Sequence, residues 1–156
     1  MASGDRVFLT GATGFVGSHV LRELIAAGYR VRALRRTAVP AQDDTAAVDW
    51  IAGDLRDVGG FARALRGCRY LIHCGALYSF APRDRAEMKA INVDATTSLM
   101  LAGHLAGLDR AILTSSSATE GHAQSGYHLS KVEQERAAFA SRLPVVALLP
   151  TAPVGP

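Results

Sequence analysis

Cysteine is scarce in this sequence. Cys68 and Cys74 are the only two, too few for a disulfide framework and without the spacing of a zinc site. Lysine is equally scarce: Lys89 and Lys131 are the only lysines, and the remaining cations are arginine. Seventeen cations against fourteen anions leave a net charge of +3, weak grounds for a nucleic-acid partner, and none is expected. No run approaches the ~18 uninterrupted apolar residues that a membrane span requires. The first residues, Met1 to Arg6, lead straight into an apolar segment with no secretory h-region. These absences set the expectation of a reduced, cytoplasmic protein without a membrane span.

The 156 residues are 49% hydrophobic and 20% charged, a globular composition. At ~150 residues per domain, one domain over 1–156 is expected. A chain of this length buries roughly 70% of its unfolded surface, enough for a core without staples.

Short apolar runs alternate with amphipathic stretches. Arg6–Thr10 reads as a buried strand, and Val16, Val20, Leu21, Leu24 and Ile25 follow at helical spacing up to Gly28. Residues 29–34 and 48–52 read as strands. Asp57 is placed to cap a helix through Phe61, Ala64 and Leu65 that Gly67 ends. Strands at 70–74, 110–114 and 145–149 bracket a long helix over 85–106 and another over 126–140. Residues 37–47 are loosely patterned and read as a surface loop or short helix. The alternation predicts an α/β fold: a Rossmann-like, doubly wound parallel sheet of about six strands with helices on both faces.

Thr10-Gly11-Ala12-Thr13-Gly14-Phe15-Val16-Gly17 joins the first strand to the first helix. Gly11 permits a tight turn. Gly14 lets backbone N–H groups approach a pyrophosphate, and Gly17 lets the helix pack close to the sheet. The helix N-terminus then faces the phosphate charge. In this context the glycines predict dinucleotide binding. NAD sites place an acid near the end of the second strand, but here the chain reads Val31-Arg32-Ala33-Leu34-Arg35-Arg36-Thr37. A guanidinium there pairs bidentately with a 2′-phosphate, so NADP is expected over NAD, with Arg36 the first candidate and Arg35 the second.

The loop Thr10–Gly17 resembles the signature of the extended short-chain dehydrogenase/reductase superfamily, the NAD-dependent epimerase/dehydratase type. Gly28–Arg36 is similar to the NADP-favouring dihydroflavonol 4-reductase branch. The ending Leu149-Pro150-Thr151-Ala152-Pro153-Val154-Gly155-Pro156 is similar to that of hopanoid-associated sugar epimerases. Gly53-Asp54-Leu55-Arg56-Asp57 resembles a family motif whose Asp contacts the adenine, a role that falls on Asp54. His73-Cys74-Gly75-Ala76 stands where the family has a small-residue turn beside the cofactor. Asn92-Val93-Asp94-Ala95-Thr96 resembles its N-V-x-G-T motif, with Ala95 for the usual Gly. The resemblance implies cofactor contacts at Gly11, Thr13, Gly14, Phe15, Val16, Gly17, Asp54, Leu55, Cys74, Gly75, Ala76, Tyr127, Lys131 and Pro150, with Arg35 and Arg36 on the 2′-phosphate.

Tyr127-His128-Leu129-Ser130-Lys131 is Y-x-x-x-K, which sets both side chains on one helix face. A neighbouring ammonium favours the phenolate, so Tyr127 is expected to act as acid or base nearer neutral pH. In the family the Lys also binds the nicotinamide ribose. The family's third member is a serine after the fifth strand. Counting from the strand gives Ser116, and aligning on Ala118-Thr119 gives Ser117; Ser116 is preferred. His19, His104, His122 and His128 read as surface or helix residues and His73 as a buried strand histidine. No pair has metal spacing, and no metal site is expected.

Two family segments are missing. Ser116 and Tyr127 are eleven positions apart where extended members carry a long loop, and the family continues well beyond Pro156. The expectation is an NADP-dependent oxidoreductase or epimerase acting on a carbonyl or hydroxyl of a small molecule, a dihydroflavonol-like ketone or a nucleotide sugar. The alternative is a non-catalytic NADP-binding protein: a sensor, a partner subunit or a truncated remnant. By resemblance the two long helices also suit a homodimer. Met88, Leu99, Met100 and Leu105 serve that interface or the core, and helical apolar spacing favours the core.

Overall fold

Six parallel strands lie in the order β3-β2-β1-β4-β5-β6 in a computed structural model, which describes residues 4–37, 48–120 and 125–151. The strands are β1 (Arg6–Thr10), β2 (Arg30–Arg35), β3 (Val48–Ala52), β4 (Tyr70–His73), β5 (Arg110–Thr114) and β6 (Val145–Leu148). The helices are α1 (Phe15–Ala26), α2 (Val58–Phe61), α3 (Arg85–Met88), α4 (Ala95–Leu105) and α5 (Gly126–Phe139). After β3 the chain returns to the far side of β1. The strand order therefore reverses between β1 and β4, and a crevice opens at their carboxyl ends.

The apolar strand runs reflect burial on both faces of the sheet. In β1, Val7 and Leu9 point into one core with Val31, Ala33, Ile72 and Leu24. Phe8 points into the other, with Leu65, Leu71, Leu99, Met100 and Leu113. Its ring stacks on Phe61 at 5.9 Å between centroids. Met88, Leu99 and Met100 are core residues, whereas Leu105 is exposed.

Two helices differ from the sequence expectation. The segment after Asp57 is mostly 3-10: α2 is a single turn between 3-10 turns at Leu55–Asp57 and Ala62–Leu65. Asp57 does cap it, accepting from the Gly60 N–H at 3.1 Å, but the Gly59-Gly60 pair has little preference for α geometry. The long helix over 85–105 is interrupted by a π stretch, Lys89–Asp94. Asn92 sits in it, and its amide bonds the Leu77 backbone on both sides, accepting from N–H at 2.7 Å and donating to C=O at 3.0 Å. Turns of this kind recur at functional sites. No helix among the described residues is long and apolar enough to cross a membrane. Residues 38–47, His122 and the ending beyond Thr151 lie outside the described residues.

Candidate active site

The crevice between β1 and β4 is built on close backbone contact. Gly11 has φ +73°, and a Cβ there would stand 2.6 Å from the Gly75 nitrogen. A Cβ on Gly17 would stand 2.0 Å from the Gly11 carbonyl oxygen, so α1 rests directly on the loop. Gly14 caps α1 in extended geometry with no side-chain bond, and no acid stands in the first turn. The N-terminal N–H groups thus stay available beside the cleft that Thr13 and Gly14 line, an arrangement suited to an anion. Glycine in this cradle is what a bound pyrophosphate requires, because a Cβ would fill it.

The far wall comes from the ends of β2 and β3. Arg35 and Arg36 both line the cleft, and no carboxylate follows β2 as far as Thr37. The Arg35 guanidinium lies over the Trp50 ring at 5.2 Å. Arg36 is exposed, and its charge acts on Asp54. Asp54 accepts from the Arg56 backbone N–H at 2.9 Å and from its guanidinium at 2.6 Å. The Arg56 hydrogen bonds hold the Asp54 carboxyl down at about 2. Leu55, Cys74, Gly75 and Ala76 complete the wall as the sequence motifs suggest.

Other residues of the sequence expectation, Tyr127 and Lys131 among them, do not line this cleft. Gly17 packs on Gly11 rather than facing the cleft, and Phe15 and Val16 border a separate surface hollow with His19. The Pro150 carbonyl accepts from the Ser117 N–H at 3.0 Å. Sequence reasoning missed Leu34, Gly53, Leu77 and Ile91 among the lining residues. Leu34 and Gly53 adjoin the residues the motifs singled out, so their position at strand ends carried a usable signal. Leu77 and Ile91 reach the cleft through the Asn92 clamp, which spacing does not reveal.

Tyr127 and Lys131 stand on α5, and Ser116 follows β5. Ser125 caps α5, accepting from the His128 N–H at 3.2 Å, and starts the helix so that Tyr127 falls in its first turn. The Ser116 side chain acts on the Tyr127 phenol, pulling it down. Ser115 instead bonds Glu135, and Ser117 begins a 3-10 turn. Tyr78 and Phe80 pack on the Tyr127 ring at 4.6 and 6.2 Å between centroids, and both are largely exposed.

The ammonium of Lys131 is held by groups other than Tyr127. Lys131 Nζ donates to the Thr114 carbonyl at 2.9 Å and to Gln134 Oε1. Burial, with a smaller push from Tyr78, raises the Tyr127 phenol above its ordinary value, against the pull of Ser116. Burial likewise drops the Lys131 ammonium to about 8, opposed by Glu135 and Cys74. The physical reason is depth: a side chain only 1% exposed satisfies its ammonium with the nearest buried oxygens. His73 is buried as expected, and desolvation, helped by the Lys131 charge, lowers it to about 3. No cluster of His, Cys, Asp or Glu among the described residues is arranged to hold a metal.

Sheet order, glycine cradle and cleft define a doubly wound nucleotide-cofactor-binding protein. The sequence pattern of the NAD dependent epimerase/dehydratase family matches residues 7–156, and the chain belongs to that family. It is 41% identical to sterol demethylase protein B of Methylococcus capsulatus, over 69% of this chain and 33% of that protein. It is 30% identical to dihydroflavonol 4-reductase of Zea mays, over 96% of this chain and 53% of that protein. The solved structure of MoeE5 in complex with UDP-glucose and NAD matches with a TM-score of 0.81 at 33% identity, over 94% of this chain and 54% of that one. The chain spans a third to a half of the length of these relatives.

Proposed function

We propose that this chain is the cofactor-binding part of an NADP-dependent oxidoreductase or epimerase acting on a carbonyl or hydroxyl group of a small molecule. The observation that carries the reading is the glycine-lined cleft at the strand ends, walled by Arg35 and Arg36, in a chain where Ser116 pulls on the Tyr127 phenol. Nicotinamide, when bound, supplies hydride transfer at carbon. Tyr127 donates or accepts the proton at the substrate oxygen, and Ser116 orients that oxygen. Lys131 would hold the nicotinamide ribose. Gly11, Thr13 and Gly14 would hold the pyrophosphate, Asp54 and Leu55 the adenine, and Cys74 to Ala76 the part between. Arg36, with Arg35 behind it on Trp50, selects the 2′-phosphate.

The raised phenol stays protonated at neutral pH, which suits Tyr127 to proton donation during carbonyl reduction. A dihydroflavonol-like ketone and a nucleotide sugar are the two substrate classes we carry, by likeness to the Zea mays enzyme and to MoeE5. We place the protein in the cytoplasm, and as a homodimer joined through α4 and α5.

A second reading is that the chain binds NADP without turnover. It is favoured by Lys131, whose ammonium is engaged by Thr114 and Gln134. One experiment separates the readings: NADPH titration of the wild type and of Tyr127→Phe, followed by a reductase and epimerase screen. NADPH binding with turnover that Tyr127→Phe abolishes supports the enzyme. Binding without turnover supports the second reading, and absence of binding overturns both.

A further inference from the structure

A continuous buried chain of polar groups runs from the glycine loop to Lys131, and elimination fixes its donors and acceptors. Thr96 Oγ1 lies 2.7 Å from the Asn92 carbonyl and must donate its proton there. Its lone pairs then accept, from His73 Nε2 at 2.9 Å and from Gln134 Nε2 at 3.0 Å. His73 therefore carries its proton on Nε2. Its Nδ1 accepts from Thr10 Oγ1 at 2.6 Å, and Thr10 accepts from the Gly75 N–H at 3.2 Å. With its Nε2 committed to Thr96, Gln134 has only Oε1 to turn toward Lys131. Thr96, Gln134, His73 and Lys131 are all at most 1% exposed, so water does not compete for these bonds.

We propose that Gln134 is a positioning residue for Lys131: oriented from behind by Thr96 and His73, it holds the ammonium against the Thr114 carbonyl and couples it to the glycine loop. Its catalytic meaning rests on the role of Lys131 proposed above; the positioning itself does not. An amide is suited to the task. Its oxygen stabilises the ammonium while its NH2 satisfies Thr96, which no purely accepting or purely apolar side chain achieves. The titratable groups that interact with Lys131 are Glu135 on its own helix, and Cys74 and His73 from the end of β4. Glu135 is itself held by Ser115 and Thr119, which leaves Gln134 as the side-chain acceptor in direct contact with Nζ among the described residues.

The two lysines make the test clean. Lysine labelled with 13C at Cε gives one signal for Lys131 and one for Lys89, which pairs with Asp94 at the surface and serves as the internal control. The midpoint of each is read against pH in the wild-type chain, in Gln134→Glu and in Gln134→Met. Gln134→Glu is expected to raise the Lys131 midpoint by about one pH unit and Gln134→Met to lower it by a similar amount, with Lys89 unmoved. In the wild type, the Gln134 side-chain NH2 signals shift with the Lys131 midpoint. That measurement needs no variant and decides the matter if either one fails to fold. A Lys131 midpoint unchanged in folded variants, or a wild-type Gln134 amide blind to the Lys131 titration, overturns the proposal. Because no turnover is involved, an inactive chain with this coupling intact would count against the enzyme reading alone.

Discussion

Thr10 and His73 are joined side chain to side chain, Oγ1 to Nδ1 at 2.6 Å, across 63 residues of sequence. Thr10 ends β1 and opens the glycine loop; His73 ends the neighbouring strand β4. The bond pins together the two strand ends between which the cleft opens, in a place where both groups are shut off from water. Burial demands a neutral imidazole, and with its Nε2–H given to Thr96 the Nδ1 accepts here.

That demand makes stability depend on acid. His73 is lowered from 6.5 to about 3 by desolvation first and the Lys131 charge second. Between those values the unfolded chain binds a proton that the folded chain does not, so stability rises with pH in that window and is lost as pH falls through it. One such proton is worth about 1.4 kcal/mol per pH unit at most. Urea unfolding of the wild type is expected to show this slope below pH 6.5, and His73→Leu, though less stable throughout, to show a shallower one.

Gly17→Ala tests the contact of α1 with the loop. The added methyl would stand 2.0 Å from the Gly11 oxygen and 2.6 Å from its carbonyl carbon, both backbone atoms that no rotamer change can move. Helix and loop must separate, at a cost of about 2 kcal/mol, or roughly 4–8 °C in Tm. NADPH affinity is expected to fall as well, since the displaced loop is the one facing the pyrophosphate. Calorimetry and a cofactor titration read the two effects independently.

Much of this was legible in the sequence for a physical reason. Strands buried on both faces must be continuous apolar runs, and a cradle that admits no Cβ must be glycine; both leave local marks. The π stretch left none, because one widened turn around Asn92 barely disturbs helical apolar spacing. Nor did the partners of Lys131. Spacing on α5 put Lys131 under Tyr127, but its environment is made by Thr114 on β5 and by a glutamine that Thr96 orients from 38 residues away. Phe15, Val16 and Gly17 belong to a recognisable motif, yet the motif does not say which of its residues face the cleft and which face the protein.

Arg36→Ala is expected to weaken NADPH binding at least about tenfold, close to 1.4 kcal/mol, and to leave NADH binding unchanged. The asymmetry follows from the single difference between the cofactors, the 2′-phosphate. Arg35→Ala is expected to be milder toward NADPH, because that guanidinium is already committed to the Trp50 face. Parallel NADPH and NADH titrations check both. Equal losses for the two cofactors would remove Arg36 from phosphate recognition.

The exposed leucines of α4 and α5 bear on assembly. Leu101 and Leu105 on α4 are 56% and 76% exposed, and Leu129 and Phe139 on α5 are 50% and 56% exposed. Burying them between two copies would stabilise a dimer by roughly 25 cal/mol for each Å² of apolar surface covered. Sedimentation of the wild type is expected to give a dimer and Leu105→Glu a monomer with the same fold. A wild-type monomer at high concentration would dismiss the interface.

Ser116 and Ser117 are neighbours, and the sequence admitted either as the substrate-orienting hydroxyl. Of the two, Ser116 acts on Tyr127, in the sense that favours the phenolate. Its Oγ also accepts from the Ala118 N–H at 3.2 Å, which fixes the rotamer so that the proton is free to go to the tyrosine oxygen or to a substrate. Ser117 turns away into the 3-10 segment Ser117–Glu120, its N–H tied to Pro150 at 3.0 Å. If the chain turns over substrate, Ser116→Ala is expected to lower kcat by about 10²-fold or more, the scale of losing one positioned donor, and Ser117→Ala to leave it nearly unchanged. Ser116→Ala should also raise the phenol titration of Tyr127 further, because the influence that lowers it is gone. A spectrophotometric titration of the phenol reads this even in a chain without turnover, and an unchanged midpoint would show that Ser116 and Tyr127 do not act together.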